Sequence, residues 1–408
     1  MRIEDIQEHL DKYNDYDIRQ NKNCRFVDQK CTPDVVCFIA DCILSTDCAT
    51  KAFTVSDLWK TQFFIENTRI VFHKPYADNE SAHNEYDKVL AQPLKLLAYA
   101  HVLELDDSQR HLVFCVNNME MLEYIASRER NAFNFLQVFF RKVVSASGIE
   151  RFFREYKESC TNATKGEIRA AKNTLYDKYH RFISANTPTK SKLDTTRMLH
   201  KVLNVFAYSE MMPGSNCKLQ DWGDLMYNKV NWRDEYTGKE KIQTRNEAKA
   251  HETDDININF YIDYQVNKAI KNVKRQQGDT SEVHDELATG IATEVHHIFP
   301  KSQFPMIASY YENLILLTSS QHRQKAHPKG NTQVVDRDYQ LTCLMAKSQT
   351  IEASLNEGNN FYRKESFIYV VNTGLDEHIE ETISFVDIRK FLVNKYLEFL
   401  LYFPMNIQ

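Results

Sequence analysis

A strand–loop–strand–helix pattern between residues 294 and 325 is the feature that most constrains how this 408-residue chain can fold. The residues before Pro300 predict a short strand, and the apolar run 314–317 predicts a second, buried strand. In the polar segment that follows, Ser319 or Ser320 could cap the start of a helix. The first strand and the helix both carry histidines, so the pattern predicts a compact cup for one metal ion (His296, His297 and His322).

These residue types suit the hydrolysis of a phosphodiester bond. That reaction needs an activated water and a cation that neutralises charge on the scissile phosphate. An imidazole is a suitable general base, so we assign that role to His297 and assign metal binding to His296 and His322. Adjacent strand residues point to opposite faces, and a bulge or a bend at Pro300 is therefore needed to bring both histidines to the phosphate. We expect Asn313 to hydrogen-bond near His297 and to orient its ring.

The motif closely resembles that of the HNH nucleases of the ββα-metal superfamily. The resemblance rests on His297, Asn313 and His322 at the family spacing, with His296 directly before the base. It implies a divalent metal cofactor, Mg²⁺ or Mn²⁺, with His296 and His322 as ligands and with His297 and Asn313 as catalytic residues. His327 lies where that family often has a basic or metal-binding residue, and it is a weaker ligand candidate.

Many members of that family carry pairs of C-x-x-C zinc knuckles around the motif. Here Thr318 and Gln321 occupy the second knuckle's positions, and none of the nine cysteines forms a C-x-x-C pair. A structural zinc is therefore not expected, and packing alone should hold the motif together. Buried, reduced thiols are the better interpretation of the cysteines.

Along the whole chain, the patterns predict a mainly α protein with small α+β parts. Residues 1–125 contain helix signals followed by two short strand-like segments, the order of a winged-helix-like DNA-binding domain, although a helical packing domain fits the same pattern. Residues 126–255 are predicted to be a helical, basic, DNA-contacting region. The ββα-metal HNH nuclease module is assigned to residues 256–345, and a C-terminal helical packing segment to residues 346–408.

Several basic and polar side chains are candidates for contacts with DNA. Between residues 165 and 201 there are nine Lys or Arg and three acids, which suits phosphate contacts and equally suits a solvated helix face. Polar side chains after Trp222 could read base edges or pack in a loop. The candidates are Lys172, Lys178, Arg181, Asn231 and Arg233, together with Lys301, Arg323 and Lys325 next to the motif.

Composition limits the other possibilities. The net charge of −5 does not by itself indicate a polyanion-binding protein, so any DNA contact must come from local patches. No apolar run approaches the roughly 20 residues that span a bilayer, and the first residues do not form a secretory signal. We therefore expect a cytoplasmic location and no membrane contact. No glycine-rich phosphate loop is present, so no nucleotide cofactor is expected.

The resemblance implies a site-specific endonuclease that hydrolyses phosphodiester bonds of double-stranded DNA, most like a type II restriction endonuclease of bacteria. Such an enzyme would work beside a separately encoded cognate methyltransferase. One HNH site cuts one strand, so double-strand cleavage implies a homodimer or sequential nicking. Two alternatives stay open: a non-specific, nicking or antiviral effector HNH nuclease, and a DNA-binding regulator that keeps the fold without catalysis.

Overall fold

The computed structural model describes residues 1–72, 77, 83–227, 254–327 and 336–402, without the side chains of residues 254–259 and 399–402. The chain divides into two compact units, the N-terminal unit (Ile3–Thr253) and the C-terminal unit (Asp254–Gln408 with Met1–Arg2). The prediction of a mainly α protein with small sheets is confirmed. The predicted boundary after residue 255 lies next to this division, whereas the predicted boundaries after residues 125 and 345 fall inside the units.

The N-terminal unit is built mainly from helices, and cap signals in the sequence mark where some of them begin. Pro33 occupies the first turn of its helix, and Thr54 and Asp57 form a reciprocal capping box at the start of another. In chain order the helices are α1 (Ile3–Asp11), α2 (Ile18–Asn21), α3 (Pro33–Leu44), α4 (Val55–Trp59), α5 (Gln62–Phe72), α6 (His83–Tyr99), α7 (Met119–Ser127), α8 (Glu129–Ala146), α9 (Glu150–Cys160), α10 (Lys165–Asn186) and α11 (Lys192–Glu210).

A small antiparallel sheet lies within the N-terminal unit. Its strands are β1 (Phe53–Thr54), β2 (Leu103–Asp106) and β3 (Val113–Val116), in the order β1–β3–β2. Strands β2 and β3 form a hairpin where the sequence predicts two strand-like segments. Residue 125 lies within α7, and helix α3 packs against both α7 and the following helix α8. This packing explains why the chain does not divide there.

The C-terminal unit contains the strand–loop–strand–helix segment. Strands β4 (Ala292–His297) and β5 (Leu314–Thr318) pair antiparallel, and the short helix α13 (Ser319–Gln321) follows directly and continues as a π-helical turn (His322–Ala326). One long helix precedes the strands and three helices follow the π-helical turn: α12 (Asp254–Gln277), α14 (Arg337–Asn356), α15 (Lys364–Leu375) and α16 (Phe385–Tyr402).

One hydrophobic core holds the C-terminal unit together. It includes Ile315 from β5, Leu344 from α14, Phe367 from α15 and Leu392 from α16, each fully or almost fully buried. Since α14 runs from Arg337 to Asn356, the predicted boundary after residue 345 falls within a single helix of this core. The C-terminal helices therefore support the strand pair directly.

A buried glutamine, Gln321, cross-links the end of β5 to the loop that precedes β4. The Oε1 atom of Gln321 accepts hydrogen bonds from Ser281 Oγ at 2.6 Å and from the backbone N–H of Thr318 at 2.9 Å. Its Nε2 atom donates to the carbonyl of Val283 at 2.8 Å and to Asp285 Oδ1 at 2.9 Å. The expectation that packing alone holds the motif is wrong, because this fully buried amide ties the end of β5 to the preceding loop.

The outer edge of β5 is covered by one acidic residue. Glu282 donates its backbone N–H to the carbonyl of Leu316 at 3.0 Å, and its carboxylate accepts the N–H of Leu316 at 2.9 Å. Lys347 pairs with the same carboxylate at 2.6 Å, and both side chains are almost completely buried. Burial lowers the pKa of Lys347, while the carboxylate of Glu282 opposes that shift. A strand edge that would otherwise lack partners is thereby satisfied.

Candidate metal centre

Three histidines of the C-terminal unit converge on one point. One ring nitrogen from each of His296, His322 and His327 lies within 4.8 Å of the other two. The rings meet edge to face, with centroids between 4.8 and 5.4 Å apart. His296 is 3% exposed and His327 is 8% exposed. Among the described residues, no other group of His, Cys, Asp or Glu side chains is placed to bind a metal in this way.

The local backbone explains how these histidines meet. His296 lies on β4 and pairs with Ile315 of β5. Thr318, rather than Ser319 or Ser320, caps the helix that follows and so fixes where His322 lies. The next turn is π-helical and ends with the N–H of His327 donating to the carbonyl of His322 at 3.2 Å. In an α-helix five residues make about 1.4 turns and would separate the two rings, so the wider turn brings them together.

The surroundings of His296 and His322 favour neutral imidazoles. Burial holds the pKa of His296 well below its usual value of 6.5, and the neighbouring histidines lower it further. Burial also lowers the pKa of His322, with His327 adding to the effect and Glu294 opposing it. A metal ion binds the neutral ring of histidine, so the lowered pKa values of His296 and His322 favour the form that binds a cation.

The donor set fits a transition metal ion. Metal–imidazole bonds of about 2.0–2.1 Å place the nitrogens of a tetrahedral site roughly 3.4 Å apart, so rotations of the three rings would close the cluster around one cation. Three protein ligands also leave a coordination position for water or substrate, which is the arrangement of catalytic sites rather than of structural ones.

The predicted base, His297, lies beside this cluster. Its Nε2 is 3.0 Å from the carbonyl oxygen of Ala308, which can only accept, so Nε2 carries the hydrogen and Nδ1 of the neutral ring is an acceptor. Burial lowers the pKa of His297, the hydrogen bond to Ala308 opposes the shift, and Lys301 lowers the pKa further. The ring is therefore neutral near pH 7 and able to take up a proton.

Asn313 lies directly before β5, but it does not bond to the ring of His297. Its Oδ1 accepts the N–H of Phe299 at 2.8 Å, and its Nδ2 donates to the carbonyls of Phe299 at 3.0 Å and Ile307 at 3.2 Å. The expectation of a hydrogen bond near the His297 ring is corrected here, because Ala308 is the ring's partner. Asn313 instead fixes the loop that carries Ala308.

Both adjacent histidines reach the same cleft. The cleft has a volume of about 670 Å³ and is lined by His296, His297, His322 and His327 together with Val295, Pro300, Lys301, Ser302, Pro305, Ile262 and Asp263. The irregularity in the strand pairing lies between Ala292 and Glu294, upstream of both histidines. His297 is the last residue of β4, so its side chain can join the cleft where the strand ends.

The basic residues predicted next to the motif have different surroundings. Lys301 lines the cleft and forms an ion pair with Asp263. Lys325 forms an ion pair with Glu286 at 2.9 Å and is not part of the cleft lining. Arg323 is exposed on the π-helical turn. Only Lys301 is thus brought next to the histidine cluster within the cleft.

The three basic candidates of the N-terminal unit that the structure describes have different surroundings. Lys172 donates to the backbone carbonyl of Ser215 at 2.9 Å, and Lys178 forms an ion pair with Glu155. Arg181 is exposed. Two further candidates, the residues at positions 231 and 233 (Asn231 and Arg233), lie outside the described residues.

The hairpin predicted to act as a wing carries acidic side chains. Glu104, Asp106 and Asp107 are all exposed at or near the turn of the β2–β3 hairpin, beside the exposed Arg110. Phosphate groups would be repelled by the carboxylates at this position. The hairpin is therefore an unfavourable element for DNA contact.

Comparisons with protein-family models, curated proteins and solved structures give no significant match to this chain. Within the described residues, no helix is long and apolar enough to cross a membrane. Sequence reasoning ranked His327 below its partners, and it missed Ala308 and Asp263 entirely. Their roles depend on a π-helical turn, a backbone carbonyl and an ion pair between distant segments, for which the local sequence contains no signal.

Proposed function

We propose that this chain is a metal-dependent endonuclease of the HNH type that hydrolyses phosphodiester bonds of DNA. The observation that supports this best is the grouping of His296, His322 and His327 in one cleft with a fourth imidazole, His297. Three nitrogen donors for a cation and a separate neutral base are the two components that phosphodiester hydrolysis requires.

His297 would act as the general base through its Nδ1 atom. Nδ1 takes a proton from a water molecule as the water oxygen bonds to phosphorus and the ester P–O bond breaks. The Nε2–H group stays hydrogen-bonded to the carbonyl of Ala308, which stabilises the imidazolium that forms. Asn313 holds the loop around Phe299 and Ile307 and so keeps Ala308 in place.

His296, His322 and His327 would hold the cation. When bound, it supplies positive charge to the scissile phosphate and the leaving oxygen. Mg²⁺ prefers oxygen ligands, whereas imidazole nitrogens suit first-row transition metals. An all-histidine set therefore favours an ion such as Zn²⁺ or Ni²⁺ over the Mg²⁺ expected from the sequence, and Mn²⁺ would bind more weakly than either.

The substrate proposal rests on the chemistry of the cleft and on the sequence resemblance. Lys301 places one cationic side chain in the cleft beside His297. Site-specific cutting of double-stranded DNA, the restriction role, a separately encoded methyltransferase and a homodimer come from the resemblance alone and stay predictions. The winged-helix-like interpretation of residues 1–125 also stays a proposal, and the acidic hairpin argues that DNA would meet another part of that unit.

Incubation with supercoiled plasmid tests the proposed function. We expect nicking or linearisation that needs an added transition metal and stops with EDTA. His297→Ala should abolish cleavage, whereas His284→Ala, which removes an exposed histidine of the same unit, should leave it intact. DNA binding without cleavage under any divalent metal would favour the non-catalytic regulator instead. Discrete fragments would indicate site recognition, and a smear would indicate a non-specific nuclease.

A further inference from the structure

An ion pair lies at the rim of the cleft beside the proposed base. Lys301 and Asp263 both line the cleft, and they are joined through Nζ and Oδ1. Their side chains are 42% and 51% exposed, so both remain accessible to a large ligand. In the free protein the carboxylate of Asp263 neutralises the positive charge of Lys301.

The two charged residues belong to separate, well-anchored segments. Lys301 directly follows Pro300, which lines the same cleft just beyond the end of β4. Asp263 lies on α12, and that helix is fixed to the core by the buried Val273 and by a hydrogen bond of 2.8 Å from Asn272 to the hydroxyl of Tyr311. The pair therefore joins α12 to the loop that follows β4.

An exposed ion pair of this kind is easily exchanged. Such pairs contribute little net stability, because both charges are well solvated when separated. A phosphate oxygen is a comparable partner for an ammonium group, and the ammonium group would keep a charge-assisted hydrogen bond after the exchange. A DNA backbone entering the cleft can thus replace the carboxylate at low cost.

We propose that the carboxylate of Asp263 occupies the place of a DNA phosphate beside Lys301 and is displaced when DNA binds. This inference rests on the proposed function. Asp263 is then a positioning residue: it keeps the ammonium group of Lys301 at the rim and disfavours polyanions that do not place a phosphate there. Once a DNA phosphate has displaced it, the carboxylate of Asp263 takes up a cation from solution. This uptake offsets the release of one counterion from the DNA, so the net number of ions released on binding falls by up to one.

DNA binding at several salt concentrations tests the inference. The full chain in the His297→Ala background keeps the DNA intact, and fluorescence anisotropy of a labelled duplex reports affinity. Asp263→Asn should tighten binding about two- to fivefold, the range of an exposed ion pair. It should also steepen the slope of log K against log salt by up to about 0.9. The matched control is Asp387→Asn, which makes the same charge change at an exposed lysine pair outside the cleft.

Lys301→Gln provides the second arm of the experiment. With Lys301 absent, Asp263→Asn should change the salt slope no more than Asp387→Asn does. Equal slopes for Asp263→Asn and Asp387→Asn in the presence of Lys301, with DNA binding intact, would overturn this inference and leave the nuclease proposal standing. A parent protein that neither binds nor cuts DNA would overturn the proposed function and this inference with it.

Discussion

Replacing Gln321 by alanine should strongly destabilise the metal-binding segment. The side chain is fully buried and makes four hydrogen bonds, to Ser281, Val283, Asp285 and Thr318. Each bond contributes about 1 kcal/mol net, and the buried N–H of Thr318 loses the amide oxygen that accepts it. We therefore expect a loss of about 4 kcal/mol, a large part of the stability of an ordinary domain.

Hydrogen exchange measures this loss locally. The amides of β5, detected by mass spectrometry, report the opening of the strand pair, and about 4 kcal/mol corresponds to a nearly thousandfold faster exchange. Gln324→Ala is the matched control, because that glutamine is exposed on the same helical segment and should change stability by less than about 0.5 kcal/mol. All three tryptophans lie between residues 3 and 253, so tryptophan fluorescence checks that the N-terminal unit is unaffected.

An acceleration below tenfold for Gln321→Ala would refute the reasoning. It would mean that the hydrogen bonds of this amide are replaced by other partners or by water. The motif would then be held mainly by its hydrophobic core, as the sequence had suggested.

Three further predictions concern the site. His322→Ala should weaken the affinity for Zn²⁺ or Ni²⁺ by more than about 100-fold, because even the loss of a residue that hydrogen-bonds to a metal ligand costs about 10–100-fold. Calorimetry that shows unchanged one-to-one binding would rule out His322 as a ligand. Burial lowers the pKa of His296 and His322, so as the pH falls the unfolded chain takes up protons at a higher pH than the folded unit does. The metal-free unit should therefore lose stability as the pH falls below about 6.5. Unfolding midpoints in urea that agree at pH 7.5 and 5.5 would contradict this. Asn313→Ala removes three buried hydrogen bonds and should lower the free energy of unfolding by about 3 kcal/mol. It should also slow cleavage, because the loop that carries Ala308 is displaced. Full activity would exclude the positioning role of Asn313.

Sequence reasoning identified what local patterns determine. Local patterns predict a histidine-bearing strand that ends at Pro300, an apolar strand over 314–317 and a polar helix start after it. The histidines at 296, 297 and 322 were therefore assigned correctly to strand and helix, and these elements place them at one cleft. The buried run 314–317 likewise forms β5.

The missing parts depend on backbone paths and long-range partners. A π-helical turn is not visible in a sequence, so the sequence indicates His327 only as a weaker ligand candidate than His322. The orientation of the His297 ring depends on the carbonyl of Ala308, a group that every residue type carries. The sequence places Gln321 only where the resembling family often has a cysteine, whereas its amide links segments that are about 40 positions apart.

Anomalous diffraction from crystals grown with Zn²⁺ or Ni²⁺ tests the central claim most directly. The account predicts one strong peak about 2.0–2.2 Å from a ring nitrogen of each of His296, His322 and His327, with His297 outside the coordination sphere. A peak bound elsewhere, or none in this cleft at saturating metal, would contradict it.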